Sequence, residues 1–231
     1  MASLLIGRDA SLKFETCENA KFPGLEAAHL AAPSPKFDDI LRLLLERRPI
    51  WFQREVGSSI HPLHVAAAKS NESGLRLYLD RYLKWNQITG HTTTCRRRPS
   101  DPSSSAVYMC PLCSFINVQR KAEYVVKDRN PRLQIQKGWT PLVTAFHTKN
   151  LTCTGLLLEA GAGTNVADEY APPVFHASWL GQSDAVELLL KKGANSHARA
   201  GILSTAALVA LFRGSFESLG DLEEFGADST F

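Results

Sequence analysis

The chain has 231 residues, five of them cysteine, and a formal net charge of +3 at pH 7. This length allows one continuous core and does not require two globular domains. The apolar stretch within Met1–Asp9 is too short for a secretory signal or a membrane span, and no later segment is long enough to cross a bilayer. An odd number of cysteines fits a reducing compartment better than a disulfide framework. These features predict a soluble cytoplasmic or nuclear protein.

One pattern returns five times along the chain, at intervals of 32 to 35 residues except for one long gap. Each copy opens with a short stretch that contains alanine, and in the first four copies a Leu-rich run follows about eleven residues later. The opening stretches begin at Glu26, His61, Thr140, Pro172 and Thr205, and the runs after the first four are Leu43–Leu45, Leu77–Leu79, Leu156–Leu158 and Leu188–Leu190.

The pattern predicts pairs of helices. Pro141 suits a first helical turn, because its missing N–H would have no partner there, and Thr140 before it can cap the helix. Glycines at 161, 193 and 226 suit the left-handed residue that closes a helix. Neither helix of a pair can bury its apolar face alone, so the pairs must stack on one another.

The motifs Thr140-Pro-Leu-Val-Thr-Ala and His61-Pro-Leu-His-Val-Ala, at this period, resemble the ankyrin repeat. The resemblance implies an all-α solenoid of stacked helix pairs with hairpin-like loops. It also implies structural roles for His29 and His64, whose side chains would bridge neighbouring turns, and turns without the usual cap at His61 and Pro172. The single domain, residues 1–231, then has repeats near 26–58, 61–84, 138–168, 170–200 and 203–231.

The period fails once, because 79 residues separate His61 from Thr140. Residues 85–137 are therefore predicted to be an insertion between the second and third repeats. Nine basic and three acidic residues give this segment a net charge of +6 and leave −3 for the rest of the chain. The basic segment either contacts an anionic partner or is a solvated, partly mobile loop.

The insertion also contains a pattern typical of a metal site. Cys110 and Cys113 have the spacing that lets two thiolates bind one ion, and His91 lies four residues before Cys95. Together the four side chains would form a structural zinc site with three sulfur ligands and one nitrogen ligand. The alternatives are reduced thiols without a ligand and a redox-active Cys-x-x-Cys pair.

Ankyrin proteins usually bind through the hairpin tips and the exposed face of each first helix. Carried onto this chain, the resemblance implies a concave surface with large aromatic side chains that the core does not need, Phe212 among them. A folded-back insertion that covers these side chains is the alternative. The predicted partner-binding residues are Lys137, Trp139, His147, Tyr170, Trp179 and Arg213.

Two classes of function follow. The preferred one is a protein–protein interaction module that holds a partner on the concave face, with the basic, zinc-stapled insertion as a second contact. The alternative is an enzyme or small-ligand protein whose insertion closes over the concave aromatic surface. A deep pocket with His147 or His176 near Trp139 would favour that alternative. No sequence motif marks a catalytic residue, so catalytic residues stay unassigned.

Overall fold

The computed structural model of the protein describes residues 31–47, 61–89, 116–117, 124–125, 134–135, 138–168, 170–201 and 204–227. Within these ranges the chain forms helices and two short antiparallel hairpins. A 3-10 turn at Pro35–Phe37 precedes the first helix. The helices are α1 (Asp38–Arg47), α2 (Pro62–Ala68), α3 (Glu72–Thr89), α4 (Pro141–His147), α5 (Leu151–Glu159), α6 (Pro173–Trp179), α7 (Ser183–Lys191), α8 (Ala206–Phe212) and α9 (Phe216–Glu224), and the strands are β1 (Tyr124–Val125), β2 (Gln134–Ile135), β3 (Arg199–Ala200) and β4 (Ser204–Thr205).

The helices pack as pairs, and the pairs stack in chain order. α2 packs with α3, α4 with α5, α6 with α7, and α8 with α9. The first helices of the pairs form one layer, in the order α2, α4, α6 and α8, and the second helices α1, α3, α5, α7 and α9 form the other. α1 is thus the second helix of the first repeat. The predicted all-α solenoid is confirmed for the described residues.

The core lies in the seam between these two layers. Alanines of the first helices, such as Ala66, Ala145 and Ala177, are fully buried and allow the close approach of the second helices. Leu157 and Leu189, from the predicted Leu-rich runs, are also fully buried. Burial of one such leucine stabilises the fold by about 1.5–3 kcal/mol, so the seam supplies most of the favourable energy.

Three of the four described first helices are capped by a side chain. Thr140 and Thr205 accept hydrogen bonds from the amides three residues later, at 3.3 and 3.1 Å. His61 also caps its helix, because its Nδ1 accepts a hydrogen bond from the Leu63 amide at 3.2 Å. The expectation that the turn at His61 lacks a cap is therefore wrong, since a ring nitrogen can replace the threonine hydroxyl. Pro172 makes no such bond, as expected.

Polar side chains at the start of the second helices reach back to the preceding repeat. Asn71 Nδ2 donates to the Ala32 carbonyl oxygen at 2.8 Å, and Gln182 Nε2 donates to the Phe146 carbonyl oxygen at 2.6 Å. These bonds tie the start of each of these second helices to the backbone of the preceding repeat.

His64 has the structural role that the resemblance implies. Its Nε2 lies 2.8 Å from the Trp139 carbonyl oxygen, so the ring bridges the second repeat and the turn that opens the third. His64 is fully buried. His29 lies outside the described residues.

An asparagine ladder joins the loops that follow the second helices. Asn165 Oδ1 accepts a hydrogen bond from the Asn195 amide at 2.8 Å. Asn117 Oδ1 accepts the corresponding bond from the Gly163 amide at 2.6 Å. Gly163 and Asn195 each directly follow a Gly-Ala pair, so Asn117 has the same place in its repeat that Asn165 has in the next.

This correspondence divides the extra residues into two stretches. Ile116, next to Asn117, is 1% exposed and belongs to the core of the array. One stretch therefore separates α3 from Ile116, and a second separates Asn117 from α4 and contains the hairpin of β1 and β2. Helix α3 continues to Thr89, beyond the predicted start of the insertion at residue 85. The repeat boundaries stay a prediction.

The turn between the two helices of each repeat needs a left-handed residue. Its φ is 52° at Ser70, 55° at Lys149, 65° at Gly181 and 69° at Gly214. Glycine adopts this conformation freely, whereas the Cβ of any other residue raises its energy by about 1 kcal/mol or more. The second and third repeats thus contain local strain that the fourth and fifth lack. The glycines predicted to close the second helices, at 161, 193 and 226, are also left-handed.

Replacing Lys149 with glycine should stabilise the protein, because it removes this strain. We expect a gain of about 0.5–1 kcal/mol in the free energy of unfolding, measured by urea denaturation. The Lys149→Ala variant is the control for loss of charge and should show no gain. Gly181→Ala should lose about 1 kcal/mol, since its added Cβ meets no atom within 4 Å and only the backbone conformation is penalised. Equal stability of Lys149→Gly and Lys149→Ala would contradict the expected strain.

Candidate binding surface

The predicted partner-binding residues fall into three groups. Tyr170 is 61% exposed, Trp179 is 45% exposed, and Arg213 is also exposed. Trp139 and His147 are turned into the protein, and Lys137 lies outside the described residues. We use the name inner surface for the exposed side chains on the first helices and the loops beside them, namely Lys149, Tyr170, Trp179, Phe212 and Arg213.

Trp139 differs from the expectation that its ring is spare for binding. It is 5% exposed and belongs to the core. Its ring stacks on the imidazole of His147, with centroids 3.9 Å apart and planes 21° apart. His64 fixes the backbone of the same residue. Trp139 therefore packs between repeats as a structural residue and cannot be an exposed contact.

His176 joins this stack from the next repeat. Its ring centroid lies 5.8 Å from that of His147 and 6.3 Å from that of Trp139, both in edge-to-face arrangements. The Nε1 atom of Trp139 and the Nε2 atom of His147 are buried and have no hydrogen-bond partner among the described residues. The three rings thus form a packed aromatic cluster between the third and fourth repeats, in which polar atoms are withdrawn from water.

Asp168 holds this cluster and shapes the loop before α6. Its Oδ2 lies 2.9 Å from His176 Nε2, which donates to it, and its Oδ1 accepts bonds from the amides of Tyr170 and Ala171, each at 2.7 Å. The Asp168 side chain is 0% exposed. One carboxylate thus bonds the amides of Tyr170 and Ala171, and the Tyr170 ring next to it is exposed to solvent.

The cluster changes the proton affinity of two of its groups. Burial lowers the pKa of His147 from 6.5 to about 4, with a further contribution from the charge of His176, while Asp168 opposes the shift. Burial alone would raise the pKa of Asp168, but hydrogen bonds from His176 and from the Ala171 and Tyr170 amides lower it below its usual value. At neutral pH the cluster therefore contains a neutral His147 and an ionised Asp168.

An arginine and two aromatic rings form the other exposed part of the inner surface. Trp179 and Phe212 are the last residues of α6 and α8, so they have the same place in adjacent repeats. The guanidinium of Arg213 lies over the Trp179 ring, 5.4 Å from its centroid. Phe212 is 81% exposed. A cation that stacks on one ring keeps its remaining N–H donors available for an anion.

The predicted metal ligands, His91, Cys95, Cys110 and Cys113, all lie outside the described residues. In the part of the chain that the structure describes, no group of three or more His, Cys, Asp or Glu residues could hold a metal ion. Cys153 is buried, and burial raises the pKa of its thiol to about 11, as expected for a thiol that packs in the core.

Comparison with known proteins identifies the repeats. A family model described as ankyrin repeats (3 copies) matches residues 113–200. Ankyrin repeat protein nuc-2 of Neurospora crassa (strain ATCC 24698 / 74-OR23-1A / CBS 708.71 / DSM 1257 / FGSC 987) is 44% identical over 59 residues. Residues 113–200 of this chain therefore match ankyrin repeats. That aligned segment is 24% of this chain and 6% of the relative, so the match spans only a small part of the relative's length.

The family match begins at Cys113, inside the segment first interpreted as one insertion. The asparagine ladder agrees with this boundary, because Asn117 bonds to Gly163 as Asn165 bonds to Asn195. Ankyrin repeats generally mediate protein–protein interaction. Among the described helices of this array, none has the length and apolar character needed to cross a bilayer.

Sequence reasoning missed two parts of this surface. It assigned no role to Asp168, although an aspartate shortly before Pro172 is a common signal for a side chain that bonds backbone amides of a turn. It also gave His147 and His176 no partners, because they lie in different repeats and 29 residues apart. The position of Trp139 within its repeat does not indicate that its ring turns inward.

The buried cluster predicts that the protein loses stability in weak acid. The pKa of His147 is lowered in the folded chain. His147 is therefore protonated below about pH 6.5 when the chain is unfolded, but only below about pH 4 when it is folded. Stability should therefore fall across this window. At pH 5 the loss should be about 1 kcal/mol, after allowance for partial solvent screening.

Urea denaturation at pH 7.5 and pH 5 measures this loss. The His147→Phe variant keeps an aromatic ring for the Trp139 stack but cannot titrate, so its loss should be smaller by about 1 kcal/mol. The acid sensitivity that remains in this variant reports the lowered pKa of Asp168, whose contribution to stability is lost only as the pH falls further. An unchanged loss in His147→Phe would show that the cluster does not control acid sensitivity.

Proposed function

We propose that this chain is a non-enzymatic interaction module that binds a protein partner on its inner surface. The observation that supports this most directly is the exposure of Tyr170, Trp179 and Phe212 on three successive loops and helices of one layer. Large aromatic side chains contribute much of the energy of protein interfaces, because they bury a large area and lose little rotamer entropy.

The stacked geometry supports a partner that touches several repeats at once. Trp179 and Phe212 end consecutive first helices that pack directly on each other, and Tyr170 lies in the loop before the first of them. Asp168 accepts hydrogen bonds from the Tyr170 and Ala171 amides of that loop. A partner therefore meets contacts that are already fixed in place, which lowers the entropy lost on binding.

The alternative of an enzyme or small-ligand protein has weaker support. His147 and His176 do lie beside Trp139, as that alternative required. However, the rings pack against one another, and His176 is already paired with Asp168. The cluster is thus better explained as part of the repeat junction, and we assign no catalytic residue.

Truncating Trp179 to alanine should weaken partner binding by roughly 2 kcal/mol, about thirtyfold in Kd, because a partly exposed anchor is lost. Binding can be measured by fluorescence anisotropy with peptides selected on the full chain from a displayed library of random 16-residue sequences. The melting temperature should change little, since nearly half of this side chain is exposed.

The matched control is Leu151→Ala. Leu151 is 44% exposed, close to the 45% of Trp179, but it begins second helix α5 in the other layer. This variant should bind as tightly as the unmodified chain. Equal binding by Trp179→Ala, or equal loss in both variants, would reject the inner surface as the binding site.

We further propose that His91, Cys95, Cys110 and Cys113 hold a structural zinc ion in the extra segment, as a staple for a second contact. The ligand types and the two-residue gap support this. Cys113 also lies only four residues before Asn117, which is anchored to the array through Gly163. Such a site requires a reducing compartment, in agreement with a cytoplasmic or nuclear location.

Native mass spectrometry should detect one zinc ion per chain, and treatment with a strong chelator should remove it. Cys110→Ser should lose the metal, because three ligands do not close a tetrahedral structural site. Cys153→Ser is the control, since that thiol is buried in α5, and it should retain the ion. Protein purified without chelator that contains no zinc would contradict the proposal.

A further inference from the structure

We infer that the partner segment held by the inner surface is an acidic peptide that also carries an aromatic or large apolar side chain. This inference rests on the proposed function and specifies the chemistry of the partner. It follows from the separation of charge between the two layers of helices, from the state of Asp168, and from the contact between Arg213 and Trp179.

The two layers carry opposite charge. The first helices α2, α4, α6 and α8 contain no Asp, Glu, Lys or Arg. The turns that follow them add Lys69, Lys149 and Arg213 and no acidic residue. The second helices α3, α5, α7 and α9 instead contain nine acidic and four basic residues. The inner surface is therefore the cationic side of an array whose other side is acidic.

Carboxylates of the outer layer, the layer of second helices, are close enough to shift one another's pKa. Burial raises the pKa of Asp221, and the negative charges of Glu187, Glu224 and Glu217 raise it further. An acidic peptide would be repelled from this layer and attracted to the opposite one. The charge pattern thus selects one face of the array as well as one class of partner.

The carboxylate of Asp168, which lies near the inner surface, does not strongly repel such a partner. Asp168 accepts three hydrogen bonds, from His176 and from the amides of Tyr170 and Ala171, and its side chain is fully buried. Its acceptor atoms are occupied by donors of the protein itself. What this loop exposes to a partner among the described side chains is the Tyr170 ring.

The arrangement around Arg213 calls for an acidic and an apolar group in the same segment. The guanidinium stacks over Trp179, and the Phe212 ring is exposed directly beside it in sequence. A carboxylate that pairs with Arg213 would bring the neighbouring residues of the peptide against these two rings. Aromatic or large apolar residues bury the most area there.

A peptide fits this surface better than a nucleic acid does. The turns after the described first helices contain three cations, Lys69, Lys149 and Arg213, of which Lys149 and Arg213 are exposed. Protein grooves that bind nucleic acid follow a continuous row of phosphates, and they contain many more cations than this surface does. Widely spaced cations between aromatic side chains match carboxylates that are separated by apolar residues along a peptide.

The test is a selection of random 16-residue displayed peptides on the full purified chain, followed by anisotropy measurements on synthetic copies of the enriched sequences. We expect the enriched peptides to be net negative and to contain an aromatic or large apolar residue. Raising NaCl from 0.1 to 0.5 M should weaken their binding at least threefold, because screening reduces attraction between exposed charges.

Variants with reversed charges test which face of the array binds the peptides. The inner variant Arg213→Glu with Lys149→Glu should bind the peptides at least tenfold more weakly. The outer variant Lys84→Glu with Lys192→Glu changes the net charge equally, at exposed positions in the other layer, and should bind them normally. If the inner variant melts early, the milder Arg213→Gln with Lys149→Gln serves instead, with an expected loss of about threefold.

Several results would overturn the inference. Enriched peptides that are neutral or basic would do so, as would equal weakening in the inner and outer variants. Tight binding of a 20-residue oligouridylate that competes with the peptides would point to nucleic acid instead. These outcomes differ from failure of the proposed function, which would appear as retained binding by Trp179→Ala whatever the charge of the peptide.

Discussion

The constraint on which this structure depends is that no helix pair can bury its own apolar face. Each of the four described first helices is only seven residues long, far too short to be stable alone in water. Stability comes instead from alanine-lined contacts between neighbouring first helices and from leucines that fill the seam to the second helices. Side chains outside that seam are therefore free to vary, and the inner surface is made of such side chains.

Hydrogen bonds between repeats fix the geometry that apolar packing only favours. Asn71 and Gln182 bond to carbonyl groups of the preceding repeat, and Asn117 and Asn165 bond to amides of the following one. Burial is not directional, whereas these bonds have narrow geometry. They hold successive repeats in a single register, so that aromatic side chains from separate repeats can contact one partner.

The fold was largely predictable from the sequence, and the site only in part. A period near 33 residues, Pro141 after Thr140, and the Leu-rich runs determine helix pairs and their order, because these signals are local and repeated. The inward turn of Trp139 was not predictable, since it depends on His147 and His176 from two repeats. The cap at His61 was missed because a ring nitrogen replaces the usual hydroxyl. Asn117 was overlooked because unmatched sequence surrounds it on both sides.

The direct stacking of α3 on α5 across the extra residues has a consequence for how the chain folds. Thr89 ends α3 and Pro141 begins α4, so about four times as many residues link these repeats as link Glu159 of α5 to Pro173 of α6. Closing the longer loop costs roughly 1 kcal/mol more in chain entropy. Folding should therefore nucleate among α4 to α9, where sequence-local contacts prevail, and the N-terminal repeats should dock onto this nucleus afterwards. The junction between the second and third repeats is then the place where the array would open first.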